Sequence, residues 1–348
     1  MVIPILLLAV GFVLLIKGGD WFVDGATGIA RRFHLPEILI GATVVSIGTT
    51  LPEVMVSAGA AIQGSGSIAY GNAIGSIICN TSLIAAITIA IKPCAAPRKS
   101  MVIPVAFFFG SALLYCGVAY FTGYFSRTIG IILLGIFIAY MISTVLRMKN
   151  SAASLDLVVE EEITGVGVSE AELEVETGED HVVESVEKGT KDSLLKDIIL
   201  LVIGAILIAI GADLLVDNAI IIAEALGVSE KVIGLTIVAL GTSLPELVTA
   251  ITSLVKGHGS LSLGNIIGAN LFNLVLVSGA AVSINPFTVP ESASVFGINS
   301  SLVIDLPIML VVMAVMTLPT LIRQKLSRVQ GVLLLVIYAA FLALQFII

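Results

Sequence analysis

Glu53 and Glu246 each follow a proline inside apolar sequence. One stretch reads Ser46-Ile47-Gly48-Thr49-Thr50-Leu51-Pro52-Glu53, the other Ala239-Leu240-Gly241-Thr242-Ser243-Leu244-Pro245-Glu246. A proline within a helix removes an amide donor and crowds the carbonyl one turn back, and a nearby glycine loosens the turn further. The spacing predicts helices that break and free carbonyls around Ser46 to Thr49 and around Ala239 to Thr242. Those carbonyls, the hydroxyls of Thr49, Thr50, Thr242 and Ser243, and two carboxylates are hard oxygen donors. They suit Na⁺ or Ca²⁺ and not Zn²⁺ or Cu²⁺.

The two stretches are copies. A single offset of 193 aligns residues 41–80 with 234–273 without a gap. It places Gly71-Asn72 on Gly264-Asn265, Gly75 on Gly268, and Asn80 on Asn273. The Gly-xxx-Gly pairs are expected to let their helices pack closely against the broken ones. Ser76, Asn80 and Asn273 are then expected to turn toward the site as neutral ligands. The preceding helices repeat as well, with Asp20 and Asp24 matching Asp213 and Asp217. Acids four residues apart share a helix face; they either guide cations or cap interfacial helices.

The elements that must hold these groups are membrane helices. Of the 348 residues, 57% are hydrophobic and only 12% charged, and apolar runs of bilayer-spanning length fill nearly the whole chain. The runs are continuous and do not alternate, which excludes a β-barrel. The first run has no basic leader and is expected to be a transmembrane helix and not a cleaved signal. No basic patch suggests nucleic acid, and no obligatory protein partner is evident. Cys79, Cys94 and Cys116 lack metal or redox spacing and are expected as buried thiols. His34, His181 and His258 fall in loops and are expected to be solvated.

The class expected is an all-α polytopic membrane protein of ten transmembrane helices. They lie near 2–30, 37–62, 69–91, 101–121 and 127–147, then 195–224, 230–255, 262–284, 298–318 and 329–347. Five helices return the chain on the opposite side, so the halves 1–149 and 197–348 form inverted repeats, with helices 2 and 7 broken. A two-fold axis in the membrane plane brings Glu53 and Glu246 to one site, where their repulsion requires a proton or cations. With both termini outside, fourteen Lys and Arg fall in inner loops, while Arg127 and Lys231 alone fall in outer ones. Segment 150–196, rich in Glu and Ser, is expected to be a disordered cytoplasmic tether with no EF-hand spacing.

The paired Gly-Thr-(Thr/Ser)-Leu-Pro-Glu and Gly-Asn-x-x-Gly motifs resemble the two alpha repeats of the sodium/calcium exchanger family, within the calcium/cation antiporter superfamily. The motifs cover 41–80 and 234–273, and the ten-helix plan extends the likeness to nearly the whole chain. The resemblance implies Glu53, Glu246, Thr49, Thr242, Thr50, Ser243 and Ser76, with backbone oxygens of Ser46 and Ala239, as ligands that hold Ca²⁺ and Na⁺ alternately. It implies ions and lipid as partners and no cofactor. Ala269 stands where the first repeat has Ser76, so one hydroxyl is missing. Asn273 stands where potassium-dependent members carry aspartate, which argues against K⁺ cotransport. Leu-Pro-Glu, in place of the proton/calcium pattern, favours Na⁺ coupling, and the short tether marks a microbial member. The expected activity is electrogenic Na⁺/Ca²⁺ antiport across the cell membrane, with H⁺/Ca²⁺ antiport as the alternative. A passive pore is disfavoured by apolar neighbours sealing the broken helices, and no enzyme motif is present.

Overall fold

The computed structural model describes residues 2–33, 35–164, 194–226, 239–291, 294–295 and 297–347. Among them, nine helices are long and apolar enough to cross a membrane. In chain order we number α1 (Val2–Arg32), α2 (Glu37–Ile62), α3 (Gly66–Ile91), α4 (Arg98–Thr122), α5 (Arg127–Thr164) and α6 (Leu194–Ala225). The second repeat continues with α7 (Leu244–Val255), α8 (Gly259–Ile284), α9 (Ser301–Arg323) and α10 (Arg328–Ile347). Helix α7 is the tenth span in part only, since 227–238 lie outside the described residues.

Two of the sequence expectations change in form. In the first repeat the chain stays helical through Pro52, and the irregularity is a wide π-helical stretch, Gly41–Val45, one turn before the motif. Only the Gly48 carbonyl loses a helical partner there, because Pro52 has no N–H. In the second repeat the break is open: Thr242 and Ser243 form a turn between Ala239–Gly241 and α7, with Pro245 in the first helical turn, where its missing N–H costs nothing. Helix α5 also runs on to Thr164, past its expected end near 147. The remainder of the expected tether, 165–193, lies outside the described residues, as do His34 and His181.

The inversion is visible in side-chain-free contacts between α1 and α6. A Cβ on Gly11 would stand 2.9 Å from the Gly211 carbonyl oxygen, and one on Gly211 would stand 2.9 Å from that of Gly11. Gly18 and Gly204 approach in the same way, at 2.9 and 2.8 Å. Numbers rise along α1 as they fall along α6, so the helices are antiparallel. Adding 193 to Gly11 gives Gly204 and to Gly18 gives Gly211, so the two-fold exchanges the two contacts. Small residues make this approach possible where lipid supplies no hydrophobic drive between helices.

An apolar cluster with Leu15, Phe22, Val23 and Ile208 joins the α1–α6 pair to Ile40 and Val45 of α2 and Leu261 of α8. A larger cluster, with Tyr115, Tyr140, Phe108 and Phe272 among its buried rings, knits α3, α4, α5, α8 and α9. Two clasps tie loops at opposite ends of the bundle. Strand β1 (Tyr124–Phe125) pairs antiparallel with β2 (Phe287–Thr288), while Ala95 bridges Lys325. A small hairpin, β3 (Ser294–Val295) with β4 (Ile298–Asn299), leads into α9. The fold is thus a bundle of eight helices flanked by one glycine-lined pair.

Candidate cation site between the repeats

Helices α2, α3, α7 and α8 carry the duplicated motifs into the middle of the bundle. Ser46, Thr50, Glu53, Asn80, Glu246 and Asn273 are fully buried, and Thr49, Ser76 and Ser243 nearly so. Glu53 and Glu246 are close enough to interact directly, with Thr49 beside Glu246. Asn80 and Asn273 each open a π-helical stretch, Asn80–Ala85 in α3 and Asn273–Val277 in α8. These stretches begin 193 residues apart, and π turns are common at functional sites. Thr242 is half-buried and shares a cavity wall with Ser76. Ala239 begins the turn before Thr242.

What distinguishes this cluster is unmet polarity. Among the described residues no hydrogen-bond partner reaches the hydroxyls of Thr50 and Ser243, either carboxylate oxygen of Glu53 or Glu246, or either amide atom of Asn80 and Asn273. Burying one such group without a partner costs about 1–3 kcal/mol, and more when it is charged. A chain that assembles six such side chains, two of them carboxylates, has built a place for something that neutralises and coordinates them. Oxygen donors of this kind fit Na⁺ or Ca²⁺.

A second layer holds the first in place. The Asn265 side chain lies between α2 and α7: its Oδ1 accepts from Thr49 Oγ1 at 3.2 Å, and its Nδ2 donates to Thr249 Oγ1 at 2.9 Å. Ser46 Oγ donates to the Gly41 and Asn265 carbonyls at 2.7 and 2.9 Å, so its hydroxyl is spent on packing. Its carbonyl sits inside the helix that runs through Pro52 and accepts from Thr49 Oγ1 at 3.4 Å, contrary to the freed carbonyl expected there. In the first repeat Asn72 Nδ2 reaches Ser57 Oγ at 2.8 Å and the Glu53 carbonyl at 3.2 Å. Tyr140 OH donates to the Ala42 carbonyl inside the π stretch of α2 at 3.1 Å. The paired asparagines were visible in the sequence beside the paired glycines, and the glycines drew the packing reading. His258 corrects an expectation: it is mostly buried at the start of α8, with Nδ1 2.7 Å from Glu37 Oε1.

Asn265→Ala is expected to keep the fold and weaken Ca²⁺ binding about tenfold, because lost buried hydrogen bonds of about 1–3 kcal/mol free Thr49 to turn away. Ca²⁺-dependent thermal stabilisation of the detergent-solubilised chain measures this. An unchanged midpoint would show that Asn265 does not hold Thr49 in place.

Inverted helical repeats closing on buried carboxylates at mid-bundle define a secondary transporter of cations. Comparison with known proteins is specific about which kind. The sequence model described as sodium/calcium exchanger protein matches residues 3–146 and 196–347, and the chain belongs to that family. An uncharacterized membrane protein of Methanocaldococcus jannaschii is 38% identical over 149 residues, 42% of this chain and 46% of that protein. CaxA of Alkalimonas amylolytica, provisionally described as an antiporter, is 34% identical over 99% of both chains. The structure of the sodium-calcium exchanger NCX_Mj soaked with Na⁺ and Sr²⁺ superimposes with a TM-score of 0.74 at 30% identity, over 98% of each chain. The protein is a multi-pass membrane protein of the microbial exchanger type, built for cation/Ca²⁺ antiport.

Proposed function

We propose that the chain exchanges Na⁺ for Ca²⁺ by alternating access, electrogenically and without K⁺. Both termini face outward, and 150–196 is a cytoplasmic tether between repeats 1–149 and 197–348. The ligands are Glu53, Glu246, Thr49, Thr50, Thr242, Ser243, Ser76, Asn80 and Asn273, with the carbonyls of Ser46 and Ala239. The observation that carries this reading is the pair of fully buried glutamates that no donor reaches among the described residues. Two carboxylates balance one Ca²⁺ or two Na⁺. An unloaded site would leave like charges facing in low dielectric, which raises the barrier to reorientation and makes exchange obligatory. A third Na⁺ per cycle moves net charge, at roughly 2.3 kcal/mol per charge per 100 mV. The side-chain-free glycine contacts between α1 and α6 support their role as the moving pair.

The test is ⁴⁵Ca²⁺ uptake into proteoliposomes loaded with Na⁺ and diluted into Na⁺-free buffer, beside a set given only a pH gradient. Uptake driven by the Na⁺ gradient alone is expected, accelerated by an inside-negative to inside-positive change in clamped potential in the sense of Na⁺ efflux carrying charge. Uptake driven by the pH gradient alone would overturn Na⁺ coupling and recast the glutamates as proton carriers.

A further inference from the structure

Asp305 is an acidic side chain within a membrane span that has no place in the site above. Asp305 closes a π-helical stretch, Ser301–Asp305, at the start of α9. The repeat offers no acidic counterpart. Beyond the longer loop before α9 the copies align at an offset of 201, matching Ser100-Met101-Val102-Ile103 to Ser301-Leu302-Val303-Ile304, which sets Pro104 of α4 opposite Asp305. Asp305 forms no ion pair with Lys, Arg or His among the described residues. Gln345 Nε2 donates to its Oδ1 at 3.3 Å, and a carboxylate can accept about four such bonds. Carboxylates inside membrane spans are costly and mark ion paths.

Asp305 lines a cavity of about 410 Å³ whose walls come from α3, α9 and α10. Tyr70 lies on the same wall system; it is 4% exposed, and no partner reaches its hydroxyl among the described residues. The cavity also touches Ser76 and Thr242, the two least enclosed members of the central cluster. From Tyr70 to Ser76 the α3 axis rises roughly 9 Å. Tyr70 therefore stands about two turns above Ser76, and Gln345, the partner of Asp305, lies in the last turn of α10, at the end of the bundle where α3 begins.

We propose that Asp305, with Tyr70 and Gln345, forms a second cation site that receives a hard cation, Ca²⁺ or Na⁺, before it passes to Ser76 and Thr242. The ligand class rests on the exchange reading. The site belongs to one membrane face only, because Pro104 occupies the equivalent place on the other. It gives the two directions of loading different apparent affinities while the central ligands remain symmetric. A carboxylate in a low-dielectric cleft raises local cation capture by about tenfold or more.

The direct experiment is tyrosine-sensitised Tb³⁺ luminescence of the full chain in detergent, with Tyr70 and Tyr338 as antennae in the cavity wall. In a Glu53→Gln/Glu246→Gln background the signal is expected to persist and to be displaced by Ca²⁺. Adding Asp305→Asn should remove it, and adding Asp305→Glu should retain it. A signal indifferent to Asp305→Asn, or one already gone in the double glutamine background, overturns the proposal. In oriented vesicles Asp305→Asn should raise the KM for Ca²⁺ offered at its own face about tenfold and leave the opposite face unmoved; equal effects at both faces would also overturn it. Failure of Na⁺-driven uptake by the unaltered chain would sink the exchange reading instead, and leaves the Tb³⁺ result standing.

Discussion

Glu53→Gln is expected to end Ca²⁺ exchange and, at the same time, to raise the thermal stability of the ion-free protein. Both effects follow from the same two buried carboxylates. With Ca²⁺ bound, each carboxylate neutralises half the ion's charge, and losing one partner of a buried charge cluster costs about 3–5 kcal/mol. That is more than a hundredfold in affinity. Without ions the balance reverses, since two unit charges some 4 Å apart repel by roughly 4 kcal/mol at an effective dielectric near 20. Glutamine removes one charge at almost constant volume. Unfolding in detergent with EDTA should therefore shift upward in the variant. The Ca²⁺-dependent gain, about 2.7 kcal/mol at a hundred times Kd in the native chain, should vanish. Glu246→Gln should behave in the same way. Either variant exchanging at the native rate would remove the glutamates from the site. A variant that loses both transport and ion-free stability would make them structural.

This prediction could be written from the sequence because duplication reported the site twice. A buried glutamate alone is ambiguous, but Gly-Thr-x-Leu-Pro-Glu at the same offset as Gly-Asn-x-x-Gly is a pattern that helix packing does not require. The ten-helix plan and its inversion were legible for a related reason: membrane helices declare themselves by length and apolarity. The local backbone was less legible. Proline predicts that a helix is disturbed, but two solutions exist, and the chain uses both: a π stretch upstream of Pro52 and an open turn before Pro245. Asn265 was hidden because its role depends on which hydroxyls face it across two helix interfaces. Asp305 was hidden for the opposite reason. It has no copy, so an argument built on repetition passes over it. His258 sits in a loop by sequence and is drawn inward by Glu37, which a one-dimensional pattern does not show.

Gly264→Ala is expected to be the most damaging single-methyl change in the bundle. A Cβ at that position would fall 2.2 Å from the Ile38 carbonyl oxygen and 2.9 Å from its carbon. These are backbone atoms of α2 and cannot rotate away. The contact is one of three along the same crossing: a Cβ on Gly41 would lie 2.4 Å from the Leu261 carbonyl oxygen, and one on Gly268 would lie 2.7 Å from Ala42 Cα. Relief requires α2 and α8 to separate, and overpacking of this kind costs about 1–3 kcal/mol or more. Function should suffer beyond stability, because the same crossing carries the bonds from Ser46 and Thr49 to Asn265. A shift of about 1 Å would stretch those bonds past useful length and displace Asn273, which follows Gly268 on α8, relative to α2. Gly59→Ala on α2 is the control, since a Cβ there meets nothing within 4 Å among the described residues. Helix propensity alone predicts that it stabilises by about 1 kcal/mol. Thermal unfolding with and without Ca²⁺ separates the cases. Gly264→Ala should lower the ion-free midpoint and lose the Ca²⁺ response, whereas Gly59→Ala should raise the midpoint and keep it. If Gly264→Ala retained the full Ca²⁺ response, the glycine crossing would be packing alone, and the geometry of the ion ligands would have to be set elsewhere.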